Sequence, residues 1–331
     1  MKIVIDAMGG DNAPASTVAG AIAAATEWAD TQIVLIGDEA KLEPLLSQSG
    51  VRPANLTVRH ASEVIGSDDE PVKAVRRKKD ASMVVAGRML KEGEADAMIS
   101  AGNTGALMTA GLLVVGRMEG IERPALAPMI PTIDDVGVLA LDLGANMDAK
   151  PEHLAQYGLM GSLYRQKVQG IESPRVGLLN VGTEPGKGNE LTKHAYPLLE
   201  QLPIRFVGNV EARDVLTGAC DVLVCDGFAG NILLKSLEGT AGAIFALLKE
   251  QFSSSLKSKL AAAVLMPELR GLKRKLDYTE HGGAPLLGLS RLVVKSHGSA
   301  DGNAIKNAVR QARIAVQNQL VESISKEISG K

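Results

Sequence analysis

Short apolar runs alternate along this chain with longer stretches of three-and-four apolar spacing, and almost every apolar run stops at glycine, aspartate or asparagine. The runs Lys2–Asp6, Gln32–Gly37, Leu56–His60, 96–100, Arg175–Asn180, 205–207, 220–225 and 291–295 read as strands. Between them the pattern predicts helices ending near Trp28, over Glu39–Gln48, 71–81, Pro151–Gln169 and 189–201, and a closing amphipathic helix to Glu327. Strand and helix in alternation point to a largely parallel sheet. The runs 126–132 and 136–143, joined by Ile133-Asp134-Asp135, predict an antiparallel hairpin, which makes the sheet mixed.

The strand ends carry the candidate chemistry. After Arg175–Asn180 the chain breaks into Gly182-Thr183-Glu184-Pro185-Gly186-Lys187-Gly188-Asn189. Without Cβ atoms, Gly182, Gly186 and Gly188 let backbone N–H groups converge on an oxyanion, and Lys187 adds a point charge. The loop is not a Walker A motif, since Gly188 stands where the magnesium-binding Ser or Thr belongs; a plain glycine turn is the competing reading. Gly9-Gly10-Asp11 follows the first strand, and Gly102-Asn103-Thr104-Gly105 follows 96–100. Both have the strand, turn, helix form that cradles anions, although Asn103 or Thr104 as a simple helix cap explains the second equally well. Asn209 follows 205–207, Asp226, Gly230 and Asn231 follow 220–225, and His297 follows 291–295. Five strand ends carrying Gly with Asn, at Asn103, Asn146, Asn189, Asn209 and Asn231, predict one shared polar crevice. None of these turns has the GxGxxG spacing of a nicotinamide-binding fold.

Composition narrows this picture. With 36 basic and 38 acidic residues the formal charge is −2, so no global field draws in nucleic acid and any basic partner surface is local. Thirty-five glycines and 3% aromatics describe a scaffold of small residues and tight turns. Cys220 and Cys225 rule out a disulfide framework, fit a reducing cytoplasm and read as small buried hydrophobes rather than metal ligands. No span of about 18 apolar residues stands out, so the chain is not expected to cross a membrane. From 231 to 278 two long helical stretches are predicted, the second with an apolar stripe including Leu260, Val264 and Leu265. Lys257, Lys259, Arg270, Lys273, Arg274 and Lys275 border it against Glu268 alone, a local charge of +5. Such a surface fits a second subunit, a membrane surface or an acidic protein.

Taken in order, these turns resemble those of the bacterial phosphate acyltransferases, which make acyl phosphate from acyl-acyl-carrier-protein at the start of phospholipid synthesis. The resemblance rests on Asp6-Ala7-Met8-Gly9-Gly10-Asp11 and on residues 100–106, 141–146, 179–189, 206–214, 226–231, 282–288 and 296–298, nearly end to end. It implies a three-layer α/β/α fold of the isopropylmalate dehydrogenase and phosphotransacetylase kind, with a mixed sheet of roughly ten strands. It also implies one catalytic unit over 1–331, a homodimer, no cofactor or metal, and a projecting 231–278 hairpin that meets the inner membrane surface or acyl carrier protein. Inorganic phosphate would attack a thioester and release a thiol, so what the protein must supply is an anion cradle, an oxyanion hole and alignment. The expected assignment gives phosphate to Lys187 with Gly182, Thr183, Gly186, Gly188 and Asn189. It gives the thioester oxygen to Asn103 and Thr104 or to Asn231, and alignment of the nucleophile to His297 or Asp226; Cys225 as an acyl carrier is a further alternative. Outside this class, a nicotinamide-dependent oxidoreductase or a noncatalytic membrane-bound scaffold are the competing functions.

Overall fold

Alternate residues of the apolar runs face opposite ways in a strand, and here both faces are buried, as the near-continuous apolar composition requires. The computed structural model describes residues 1–50, 52–275 and 282–330, and within the helix Leu256–Lys275 not the side chains of Leu256, Ala263, Pro267, Arg270 and 272–275. The expected contact side chains Arg270, Lys273, Arg274 and Lys275, and the hairpin end at 276–278, therefore lie outside the described residues.

Twelve strands are described: β1 (Lys2–Asp6), β2 (Gln32–Gly37), β3 (Leu56–His60), β4 (Ala97–Ser100), β5 (Ala125–Leu126), β6 (Met129–Ile130), β7 (Val138–Leu141), β8 (Arg175–Asn180), β9 (Arg205–Glu211), β10 (Val222–Val224), β11 (Ala284–Leu287) and β12 (Leu292–Lys295). They form a seven-stranded sheet in the order β3-β2-β1-β4-β12-β11-β5 and a five-stranded sheet in the order β6-β7-β10-β8-β9. Only β11, against both its neighbours, and β6, against β7, pair antiparallel. The fold is thus mixed α/β as expected, but its strands divide between two sheets instead of extending one sheet of roughly ten.

The division falls within the run 126–132. Leu126 pairs with Leu286 of the larger sheet, while Met129 and Ile130 pair with Leu139 and Val138 of the smaller. Pro128 lies between them and has no N–H to continue a ladder, so the run changes sheets there. The hairpin expected from the sequence is present as β6 and β7.

The helices are α1 (Ala15–Glu27), α2 (Glu39–Gln48), α3 (Pro71–Arg77), α4 (Ser82–Lys91), α5 (Thr104–Ala110), α6 (Pro151–Gln169), α7 (Glu190–Glu200), α8 (Gly227–Ser253), α9 (Leu256–Lys275), α10 (Gly302–Gln317) and α11 (Leu320–Ser329). One apolar cluster joins Ile3, Ile5, Ile33 and Ile99 of the larger sheet to Leu139, Leu141, Val176 and Val222 of the smaller, under α1, α6 and α10. The alternate positions Val4, Val34, Met98 and Val293 face α3, α4 and α5. On the smaller sheet Val138, Ala140, Leu223 and Cys225 meet Leu233 of α8. Both cysteines are buried and unbridged, as the sequence indicated.

Beyond that foothold α8 leaves the body and packs on α9. Ile244 and Leu247 of α8 and Leu260, Val264 and Leu265 of α9 are exposed, as are Lys257 and Lys259. By length and composition α8 is long and apolar enough to cross a membrane. That corrects the expectation that no such segment exists; Lys235, Glu238 and four glycines had masked the helix in a search for an unbroken apolar span.

Candidate active site

Because β1, β4 and β12 run parallel, as do β7, β8, β9 and β10, their carboxyl ends present loops on common edges. Ligands of open α/β sheets bind at such edges, where the strand order changes direction. At the junction of the two sheets lies a cleft of about 340 Å³. Thr104 reaches it from the end of β4, Gly144 from beyond β7, Asn231 from α8, and Lys295, Ser296 and His297 from the end of β12. Leu126, Pro128, Met129, Leu143 and Leu234 supply an apolar lining.

The floor on the β1 side is held by a buried carboxylate. Asp6 accepts 2.6 Å hydrogen bonds from the Ser82 and Ser100 hydroxyls and a third from the Met8 amide. Burial pushes its pKa upward, and those donors partly oppose the shift. A Cβ on Gly9 would sit 2.8 Å from Gly102 Cα, so the β1 and β4 turns can come this close only because position 9 is glycine. The Asp11 amide donates to the Gly298 carbonyl at 2.7 Å, and Asn12 Nδ2 donates to the Ser299 carbonyl at 2.9 Å. Gly9, Gly10 and Asp11 thereby lock the first turn onto the β12 turn and do not line the cleft.

On the opposite side Asp142 organises the turn after β7. Its carboxylate accepts from the amides of Ala145 at 3.1 Å and Asn146 at 2.6 Å, and from Asn146 Nδ2 at 3.0 Å. The arrangement holds Gly144 near Asn231: a Cβ there would come within 3.5 Å of Asn231 Oδ1. Gly230 has no room for a side chain between the Asp142 carbonyl and Cys225 Sγ. Asp226 caps α8 by accepting from the Ala229 amide at 2.8 Å, which aims the first turn, and Asn231 with it, at the cleft. Cys225 Sγ donates to the Asp142 carbonyl at 3.3 Å, and burial raises its thiol well above the usual range. A thiol so held is a poor acyl carrier.

His297 enters from β12. The Ser299 amide donates to His297 Nδ1 at 3.2 Å, which places the proton of the neutral ring on Nε2. Ser299 Oγ lies 2.7 Å from the same Nδ1, so the Ser299 turn fixes the orientation of the ring at the edge of the cleft.

The shared crevice of five asparagines resolves into separate tasks. Asn103 and Asn189 cap α5 and α7, accepting from the amides of Ala106 and Thr192, each at 3.0 Å. Asn146 ties its loop to Pro124, and Asn209 bridges Asn180 and the Glu184 carbonyl. Only Asn231 lines the cleft. Gly102 and Gly105 stand close to Met83 and Pro71, again as packing positions. Lys187, Thr183 and Gly186 lie on an exposed loop at the end of β8, outside the cleft lining, with Gly182 buried beneath Lys187 and Gly188 wedged by Asn180 and Thr192.

Several lining residues carry no signal of the strand-end kind, Lys235, Glu238 and Lys295 among them. Lys295 closes β12 and is 8% exposed. It shares the face of buried Val293, two residues earlier, so strand parity already signalled an inward lysine in Leu292-Val293-Val294-Lys295.

The description "Fatty acid synthesis protein" fits a family model that matches residues 1–323. Phosphate acyltransferases of two Bacillus cereus strains, G9842 and ATCC 14579, are each 59% identical over 325 residues, covering 98% of this chain and 97% of theirs. Among solved structures, a phosphotransacetylase from Streptococcus pyogenes superposes with a TM-score of 0.61 at 17% identity, covering 97% of this chain and 94% of that one. A branched-chain phosphotransacylase from Enterococcus faecalis gives 0.60 at 16%, covering 96% and 99%. At those identities the likeness concerns the fold, and it agrees with the two-sheet α/β architecture above. The sequence relationship, nearly complete in both chains, carries more: the chain belongs to the fatty acid synthesis protein family, as an acyl-transferring enzyme of its phosphate acyltransferase branch.

Proposed function

We propose that this enzyme transfers a fatty acyl group from the thioester of acyl carrier protein to inorganic phosphate, releasing the carrier thiol and acyl phosphate for phospholipid synthesis. The observation that carries the reading is the composition of one cleft, in which six apolar side chains adjoin an amide, two hydroxyls, an imidazole, Lys295 and the paired Lys235 and Glu238 at converging strand ends. A phosphate oxygen forms a bond to the thioester carbonyl carbon, and the carbonyl electrons move onto oxygen. Their return breaks the carbon–sulfur bond, and the departing thiolate, of parent pKa about 8.5, takes up the proton that the phosphoryl group loses. Asn231 Nδ2 and the Thr104 hydroxyl are the neutral donors offered to the oxyanion, with His297 lining the cleft beside them. The apolar residues receive the first carbons of the acyl chain. Lys187, exposed at the neighbouring strand end, serves to recruit phosphate.

The exposed surfaces support a reading of the partners. The α8–α9 pair, apolar along one stretch and bearing Lys257 and Lys259, is the proposed contact for a second subunit and for the cytoplasmic membrane surface; the acidic carrier protein is the third candidate for its basic side. Incubating the protein with long-chain acyl carrier protein and phosphate should yield acyl phosphate and free carrier thiol in equal amounts. Release of fatty acid alone, or no phosphate-dependent turnover, would overturn the assignment.

A further inference from the structure

The cleft contains a cation that neither the strand nor its neighbours neutralise. Lys295 Nζ donates to the Ala101 carbonyl at 3.3 Å and to the Ser296 carbonyl, and among the described residues no carboxylate pairs with it. An ammonium has three donors, so one remains for a ligand on the cleft side. Burying a charge without a counter-charge is costly unless something else offsets it, and sites that tolerate the cost are enriched for function. The two carbonyls fix the direction of Nζ without cancelling its charge.

We propose that Lys295 is the residue that holds inorganic phosphate as the nucleophile inside the cleft, next to Thr104, Asn231 and His297. This rests on the acyl-transfer reading above and deepens it: Lys187 meets phosphate at the surface, and Lys295 meets it where it reacts. A dianion would satisfy the third donor and give the ammonium a direct counter-charge, where Asp11 and Asp6 act on it only at a distance. Burial pushes the free ammonium down to about 8, while Asp11 and Asp6 pull it upward. The remaining charged or titratable groups lining the cleft are His297 and the mutually paired Lys235 and Glu238, whose charges balance. Phosphate is already dianionic at alkaline pH, so binding it above pH 8 should draw a proton onto Lys295.

Phosphate KM, acyl-donor KM and thermal stability would be measured for the full-length protein and for Lys295→Met and Lys295→Arg. The expected result is a rise of roughly 10- to 100-fold in phosphate KM for Lys295→Met, as for loss of a charge-assisted hydrogen bond. Acyl-donor KM should hold, Lys295→Arg should recover part of the loss, and melting should stay level or rise with the unpaired charge gone. Independently of any variant, calorimetry of phosphate binding at pH 9 in buffers of different ionisation enthalpy should show proton uptake by the wild-type protein. Unchanged phosphate KM in Lys295→Met, or no uptake at pH 9, would overturn the proposal. Phosphate binding with uptake but no acyl phosphate formed by the wild type would instead remove the acyl-transfer reading and leave the anion site standing.

Discussion

Asn231 and Lys187 separate two ways in which a residue serves a reaction. Asn231 lines the cleft at the start of α8, so Asn231→Ala should lower kcat by roughly 100-fold with little change in phosphate KM, the signature of an oxyanion donor. Lys187 stands in solvent, where salt screens it, and Lys187→Ala should raise phosphate KM only a few-fold, with the difference fading at high salt. Steady-state kinetics at two ionic strengths read both; equal kcat losses would merge the roles. The sequence showed Asn231, Thr104 and His297 as strand-end polar residues, and the structure gathers those three. It did not separate them from Asn103 and Asn189, because a capping amide and a catalytic one occupy the same kind of turn and differ only in which neighbour the side chain reaches. Lys295 was overlooked because it belongs to the strand and not to the turn.

At the level of elements, the smaller sheet is clamped at the opposite edge from the cleft. Arg175 on β8 meets Asp221 before β10 through Nε at 3.1 Å and Nη2 at 2.9 Å, and its amide donates to the same carboxylate at 2.7 Å. Burial alone would raise the Asp221 pKa, but the Arg175 hydrogen bonds and charge outweigh it and hold the carboxyl below its ordinary range. A depressed folded pKa contributes stability that is present above the unfolded value near 4 and is lost as pH falls through the lower folded one. Asp221→Asn should therefore cost about 1–3 kcal/mol in urea unfolding at neutral pH, and the gap from wild type should close as pH falls through the depressed folded pKa. A constant gap would assign the effect to geometry instead of charge. The order of elements was largely legible: β1, β2, β3, β8, α2 and α6 have the limits that periodicity predicts. The helix α4 was missed because the basic run before it hid a boundary near Ala81. The sheet division was missed because two-residue strands around Pro128 look like one longer strand.

At the scale of the whole molecule, exposed apolar side chains are scattered over the loops of the body, as at Ile133 and Val181, but follow one another along α8 and α9. Leu260 is 64% and Val264 76% exposed, values that call for a covering partner. Replacing both with aspartate should abolish co-sedimentation with anionic vesicles while leaving turnover of soluble acyl carrier protein intact; a shift in sedimentation velocity toward monomer would assign the face to a second subunit instead. Which partner covers it was not legible, since a stripe edged with lysine suits a bilayer and a protein alike.

The position of β12 has a consequence for how the enzyme comes into being. It pairs with β4 through Leu292–Ala97 and Lys295–Ser100, contacts that span most of the chain, and its turn grips Asp11 near the amino terminus. During synthesis the amino-terminal strands can leave the ribosome long before their sheet is complete, and the place between β4 and β11 stays open until Leu292–Lys295 emerges. A product that stops before β12 would therefore carry much of the scaffold but lack Lys295 and His297 of the cleft.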